Sequence, residues 1–210
     1  GGRIYSGRRR VVCREVVVKL GFCICGSFCT HKKALEAMRR LAQKHELVPV
    51  LSYNAAHTDT RFGGCADLLN EVERICGRAA VTDIAGAEPL GPAEPLDMLV
   101  ICPCTGNTLS KLASGVSDGP VTLAAKATVR ADRPVLAALC SNDALGANLC
   151  NLGTLLNRKN YYFVPMYADD PVKKPHSLLS ELRFLDKCIE EAARGRQLMP
   201  LFYPAIPPSE

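Results

Sequence analysis

The run Val16-Val-Val-Lys-Leu-Gly-Phe-Cys-Ile-Cys25 is apolar except for Lys19 and stops at Gly26-Ser27. An apolar run without polar alternation belongs to a strand covered on both faces, and the Gly-Ser step ends it in a turn. From residue 30 to 44 the period changes. Leu35, Met38, Leu41 and Ala42 recur at three and four residues, while Lys32, Lys33, Glu36, Arg39, Arg40 and Lys44 take the other positions. That is an amphipathic helix directly after a buried strand, which is the first half of a parallel crossover.

The alternation continues. Residues 47–51 read as a second strand, 52–61 as a polar loop, 65–76 as a helix and 79–84 as a third strand; the segment 85–95, with three prolines and two glycines, reads as a surface loop. Residues 98–102 form a fourth strand, 108–113 suit a short helix, 115–119 break it, and Pro120 suits the first position of a helix ending near Arg130. A fifth strand is expected at 134–140, a helix at 145–156, a last strand at 161–164 and a closing helix at 178–193. The fold class that follows is α/β: one Rossmann-like or flavodoxin-like, doubly wound parallel sheet with helices on both faces. The last segment holds Pro200, Pro204, Pro207 and Pro208 and is a poor helix or strand, left to wrap a neighbour or stay loose.

Charge and cysteine usage narrow the functional classes. Arg3, Arg8, Arg9, Arg10 and Arg14 against Glu15 account for most of the net charge of +5, so the basicity belongs to the amino-terminal tract and no nucleic-acid function is expected. No apolar stretch approaches the roughly 20 residues a membrane-crossing helix needs, and no signal segment precedes the first strand. The 11 cysteines are odd in number, scattered, and contain no CxxC pair, which argues for reduced packing residues and a cytoplasmic setting rather than disulfides or metal.

In such folds ligands bind beyond the carboxyl ends of the strands, which directs attention to residues 26–30, 52–60 and 103–108. Gly26-Ser27 between a strand and a helix suits a phosphate held by backbone N–H groups, and equally suits simple helix capping. It is neither a GxGxxG turn nor a P-loop, since Gly21-x4-Gly26 is followed by Ser-Phe. Ser52 and Asn54 leave the second strand at the same rim, where they reach the same phosphate or equally well form a turn. His57 has no partner that sequence places beside it and reads as an exposed loop histidine. In Pro103-Cys-Thr-Gly-Asn-Thr108 a rigid proline, a glycine and polar side chains stand at a strand exit, a loop able to approach a planar ligand closely; Cys104 is a packing thiol in preference to a nucleophile, and Asn107 serves a heterocycle or a helix cap.

The ordered set Gly26-Ser27, Ser52, Pro103-Cys-Thr-Gly-Asn-Thr108-Leu-x-Lys-x-Ala and Gly115-x-x-Asp118 resembles the flavoprotein family that includes the flavin-dependent cysteine decarboxylases. The resemblance implies FMN, with contacts at Gly26, Ser27, Phe28, Ser52, Asn54, Pro103, Cys104, Thr105, Gly106, Asn107 and Thr108. It divides the chain into a basic, disordered tail over 1–14, a flavoprotein domain over 15–196 and a proline-rich tail over 197–210. The family's decarboxylases carry a histidine before this loop and a Pro-x-Met-Asn clamp; here Glu88-Pro-Leu-Gly-Pro and Leu139-Cys-Ser-Asn-Asp143 stand instead, which argues against decarboxylation.

Within that family the chain resembles the B subunits of dipicolinate synthase more closely than the decarboxylases, through Ala87-Glu-Pro-Leu-Gly-Pro, Ala124-Ala-Lys-Ala-Thr-x-Arg130, Ser141-Asn-Asp-Ala-Leu145 and Lys159-Asn-x-Tyr-Phe-Val-Pro165. That likeness implies a role in oxidising dihydrodipicolinate to dipicolinate during sporulation. It also implies an A-type partner, NADP reached through that partner, and a homo-oligomer. Lys126 and Arg130, four residues apart, are candidates for the carboxylates of a small dicarboxylate substrate, though the spacing also describes a solvated face. Ser141, Asn142 and Asp143 shape a substrate site or a subunit contact, or begin a helix. No catalytic acid or base is identified. The other readings are a non-catalytic nucleotide-binding scaffold and a cysteine decarboxylase with a displaced base.

Overall fold

The computed structural model describes residues 18–204. The basic tract 1–14, the first residues of the expected first strand and residues 205–210 lie outside this range. The first crossover forms as its pattern requires: β1 (Lys19–Ile24) leads through a short 3-10 turn into α1 (His31–Ala42) and then β2 (Glu46–Leu51). Next come α2 (Tyr53–His57), α3 (Cys65–Cys76) and α4 (Ile84–Ala87), then β3 (Met98–Cys104), α5 (Gly106–Ser114), α6 (Pro120–Arg130) and β4 (Val135–Ser141). The chain continues through α7 (Leu149–Leu156), β5 (Tyr161–Phe163), β6 (Met166–Asp170), β7 (Lys174–Ser180) and α8 (Leu185–Ala193).

Strands β2, β1, β3, β4 and β5 pair in parallel in that order. This is the flavodoxin-like order, whose switch point lies between β1 and β3. Side-chain alternation along each strand builds two cores. Leu20, Phe22 and Ile24 of β1, with Met98 and Val100 of β3, face Met38 and Leu41 of α1, Val72 of α3 and Leu185 and Ile189 of α8. Cys23, Leu99, Ile101 and Leu139 face Leu109 and Leu112 of α5, Val121 and Ala124 of α6 and Leu152 and Leu155 of α7. Each such fully buried Leu, Ile or Phe contributes about 1.5–3 kcal/mol.

The far edge of β4 is divided. Val135–Ala137 pair with β5 in parallel, whereas Cys140 and Ser141 pair with Leu179 and Leu178 of β7 in antiparallel sense, and β6 continues that hairpin. The sheet is therefore mixed at this edge, a departure from the all-parallel expectation. The expected helix at 178–193 begins only at Leu185, because residues 178–180 complete β7 and a 3-10 turn intervenes. The expected strand at 79–84 contracts to one bridge, Val50 to Val81, and the loop at 85–95 contains α4 and a 3-10 turn at Glu88–Leu90. The loop after β2 contains α2, with Ser52 as its cap, and Pro103 and Cys104 end β3 inside the sheet. Leu201 is buried, and both its carbonyl and the Tyr203 N–H bond Met166, so this part of the proline-rich segment lies along β6.

Candidate functional site

At the switch point the ends of β1 and β3 are tied together. The Cys25 N–H donates to the Pro103 carbonyl at 3.2 Å, and the Thr108 hydroxyl donates to the Cys25 sulfur at 3.3 Å. Thr105 is the N-cap of α5: its hydroxyl accepts from the Thr108 N–H at 3.2 Å and lies 3.0 Å from the Thr108 hydroxyl. The other end of α5 is closed as firmly. Gly115 adopts the left-handed region at φ 74° and its N–H donates to the Leu112 carbonyl, while the Arg158 guanidinium donates to the carbonyls of Leu112 and Ala113. The helix that carries Asn107, Thr108 and Lys111 is thus held at both termini.

A cavity of about 280 Å³ opens outside these strand ends. Its floor and walls are Gly26, Ser52, Tyr53, Asn54, Thr105, Asn107, Thr108 and Lys111 together with Asp118 and the start of α6, Gly119 to Thr122. The starts of α5 and α6 both open onto it, which favours a bound anion. Ser52 accepts from the Ala55 N–H at 3.3 Å and keeps its hydroxyl proton for another partner. Lys111 donates to both oxygens of Asp118, at 2.9 and 2.8 Å, and this bond holds the Asp118 carboxyl below its usual range.

Six of the expected contact residues therefore meet around one space: Gly26, Ser52, Asn54, Thr105, Asn107 and Thr108. Ser27 is half-buried in the turn beside it, and its carbonyl accepts from the Thr30 N–H and hydroxyl. The Phe28 ring lies beside Gly26, 3.6 Å from where a Cβ there would stand, but lines a neighbouring groove of about 380 Å³ with His31, Phe62 and α3 rather than the cavity. Pro103 and Cys104 are buried in β3, and burial pushes the Cys104 thiol well up, as a packing residue requires. Gly106 is buried beneath the first turn of α5. Lys126 and Arg130 are exposed farther along α6, and neither lines the cavity. Ser141 and Asp143 lie behind α5 against Gly106, Asn142 is exposed, and none of the three lines the cavity. His57 is exposed at the end of α2, with Nδ1 3.0 Å from the Tyr53 carbonyl.

Sequence reasoning misses Tyr53 and the Gly119–Thr122 wall. Tyr53 follows Ser52 directly, and Gly119-Pro120 already signals a helix start, so the available clue is that a helix beginning after β3 and α5 must open toward the same rim. His31 also matters more than its sequence context suggests: its Nε2 lies 2.8 Å from the Cys25 carbonyl and pins the turn after β1, while burial lowers its pKa.

Strand order, site position and motif together define a flavoprotein fold, and the chain belongs to the Flavoprotein family, whose profile matches residues 14–175. Its sequence is 43% identical over 184 residues to the B subunit of dipicolinate synthase from Bacillus subtilis (strain 168), covering 87% of this chain and 92% of that protein. The crystal structure of the corresponding B subunit of dipicolinate synthase from Bacillus halodurans C superposes with a TM-score of 0.83 at 38% identity, over 90% of this chain and 97% of that one. The FMN-dependent cysteine decarboxylase SpaF shares the fold, with a TM-score of 0.64 at 24% identity over 84% of this chain and 97% of its own. The family resemblance read from the motifs is thereby established. Among the described residues no helix is long and apolar enough to cross a membrane.

Proposed function

We propose that the chain binds FMN in the switch-point cavity and acts as the B subunit of a dipicolinate synthase, in the oxidation of dihydrodipicolinate to dipicolinate during sporulation. The observation that carries the reading is the convergence of Gly26, Ser52, Asn54, Thr105, Asn107 and Thr108 on one space between β1 and β3. The donor set fits the group. The cavity offers hydroxyls, carboxamides and helix starts for a phosphate ester and ribityl chain, with Tyr53, Pro120 and Val121 as apolar surface for a flat ring. Its cation, Lys111, is already neutralised by Asp118. The phosphate is held by neutral donors at Gly26, Ser27 and Ser52, and Asn107 meets the ring.

Aromatising the dihydropyridine ring removes two electrons and two protons, and a bound flavin supplies a two-electron acceptor. The residues of this chain bind and orient. Tyr53, Lys111 and Asp118 are the ionisable side chains among those lining the cavity, and the latter two are paired with each other, so the wall presents no free carboxylate or histidine to take a ring proton. That wall supports a reading in which an A-type partner supplies proton transfer and the chain is inactive alone, with NADP reached through that partner as final acceptor. The cavity, about 280 Å³, sits at the lower end of the size range for ligand pockets and is open to solvent on one side, in keeping with cover from a second chain.

Two measurements test the reading. Adding FMN to the purified chain should shift and sharpen the flavin absorbance with a 1:1 endpoint; no spectral change overturns FMN binding. Dihydrodipicolinate and NADP with an A-type partner should yield the ultraviolet absorbance of dipicolinate only when this chain is added. Equal rates from the partner alone reduce the chain to a scaffold, and flavin-dependent carbon dioxide release from a cysteine-terminated substrate would favour decarboxylation instead.

A further inference from the structure

The first turn of α5 has two sides. One presents Asn107 to the cavity; the other rests on a polar cluster at the end of β4 that the cavity does not touch. There the Asp143 carboxylate accepts from the Ser141 hydroxyl at one oxygen and from the Asn148 amide at the other, the latter at 2.7 Å, and Asn151 donates to the Asn148 carbonyl oxygen at 3.0 Å. Ser141 and Asn148 are buried. The two donors hold the Asp143 carboxyl below its ordinary range, so the cluster carries a negative charge.

The cluster is packed directly on Gly106. A Cβ at that position would stand 2.6 Å from the Ser141 hydroxyl oxygen, 2.7 Å from the Asn148 amide nitrogen and 2.7 Å from Asp143 Oδ1. Contacts this short force the three side-chain ends to shift and give up their mutual hydrogen bonds, so glycine at 106 is what lets the cluster close against α5. The anion also sits at the start of α5, where the helix dipole favours it. The turn that contains Asp143 is itself fixed, since the Asp143 carbonyl accepts from the Gly146 N–H at 2.9 Å and the Leu145 N–H donates to the His176 carbonyl of β7 at 3.0 Å. A carboxylate with both oxygens filled is also a poor partner for a dicarboxylate substrate.

We propose that Asp143, held by Ser141 and Asn148 against Gly106, is a positioning residue that sets the first turn of α5 and with it the Asn107 carboxamide at the flavin ring. The inference rests on the FMN reading for its ligand, but the coupling between Asp143 and Gly106 does not. Asp143→Asn keeps the shape, removes the charge and sets an amide against the Asn148 amide. A displacement of the Asn107 turn then disturbs contacts to the ring and leaves the phosphate contacts on Ser27 and Ser52 in place.

The test compares FMN with riboflavin, which shares the ring and lacks the phosphate. Asp143→Asn should weaken both by a similar factor, on the order of tenfold, whereas Ser52→Ala should weaken FMN more than riboflavin. Unchanged affinities in Asp143→Asn, or a loss confined to FMN, overturn the proposal. If that variant does not fold, Asn148→Ala carries the same comparison. A parallel cycle of Gly106→Ala, Asp143→Ala and the double variant is read by urea unfolding. The added methyl should destabilise the parent much more than it destabilises Asp143→Ala, and additive effects refute the packing argument. Should the parent bind neither flavin, the FMN reading falls separately. The positioning claim is then decided by the amide chemical shifts of Thr105 to Thr108, which must move in Asp143→Asn for it to stand.

Discussion

Replacing Thr108 by valine tests whether the tie between the two strand ends is what holds the site. The hydroxyl is buried, lies 3.0 Å from that of Thr105 and donates to the Cys25 sulfur at 3.3 Å. Valine has nearly the same shape, so no cavity opens and the cost is that of the polar contacts. A neutral hydrogen bond is worth about 0.5–1.5 kcal/mol net, with sulfur at the weak end, which gives about 1–2 kcal/mol for the pair. In a chain of this size that is a fall of roughly 2–8 °C in Tm, and in urea a lower midpoint at unchanged slope. Thr108→Ser keeps both contacts and loses one methyl, about 1 kcal/mol, so stability alone does not separate the two variants. Ligand binding does: FMN affinity should drop in Thr108→Val and persist in Thr108→Ser. The Cys25 thiol, pushed up to about 11 by burial and eased downward by Thr108, should move higher still in the valine variant and stay inert to thiol reagents. A Thr108→Val protein within about 0.5 kcal/mol of the parent, the low end of one hydrogen bond, with unaltered FMN affinity, would refute the reasoning.

His31 provides a pH prediction. Its folded pKa lies below the ordinary 6.5, so as pH falls below 6.5 the unfolded chain takes up the proton first. Stability should therefore decline as pH falls from about 6.5 through the folded value, and His31→Gln should flatten that part of the curve; an unchanged slope assigns the decline to other groups. The α7 face exposes Leu149 and Leu156 beside Leu145, and we expect it to be covered by a second copy of the chain. Light scattering should give a multiple of the monomer mass that falls in Leu149→Asp, and a monomeric parent with FMN bound would sink this. Arg130 is exposed and off the cavity wall, so Arg130→Ala should leave FMN affinity unaltered. In the reconstituted enzyme the same variant should also leave the KM for dihydrodipicolinate unchanged; a rise on the order of tenfold, as loss of a charged hydrogen bond gives, would return Arg130 to substrate binding.

What the sequence made legible were the features that repeat. The α3 boundaries, Cys65–Cys76, and the α6 boundaries, Pro120–Arg130, coincide with those expected, because Gly77 and Pro120 punctuate strong helical spacing. The buried central strands were plain for the same reason. The hairpin of β6 and β7 was missed because its tip, residues 171–176, is polar and exposed, so only Ser177 to Ser180 carry a buried signal, and that signal merges into the helical spacing of α8. At the site, Gly26, Ser52, Asn54 and Asn107 could be placed from the rule that ligands lie beyond the strand ends. Tyr53 and Thr122 could not, because their presence depends on how α2 and α6 are set against α5 in space. Phe28 is adjacent to Ser27 in sequence and its ring flanks Gly26, yet it lines the neighbouring groove, a distinction that only the spatial arrangement shows.

The hairpin that sequence concealed also explains why a polar cluster can sit beneath the flavin loop. In an all-parallel sheet β4 would run on beside β5 and pass directly to its crossover helix, with apolar residues at its exit. Here β5 releases β4 after Ala137, and Leu178 and Leu179 of β7 take over the pairing at Ser141 and Cys140. The antiparallel partner also supplies the His176 carbonyl for the Leu145 N–H, which holds the turn from Asn142 to Asn148 against α5 without a helix of its own. A hydroxyl, a carboxylate and an amide are tolerated there because each has its partner within the turn, whereas any one of them left unpaired would cost about 1–3 kcal/mol. The change of strand direction at the sheet edge thus puts a fixed negative charge at the base of α5, under the one glycine of the loop, where it bears on Asn107 from behind.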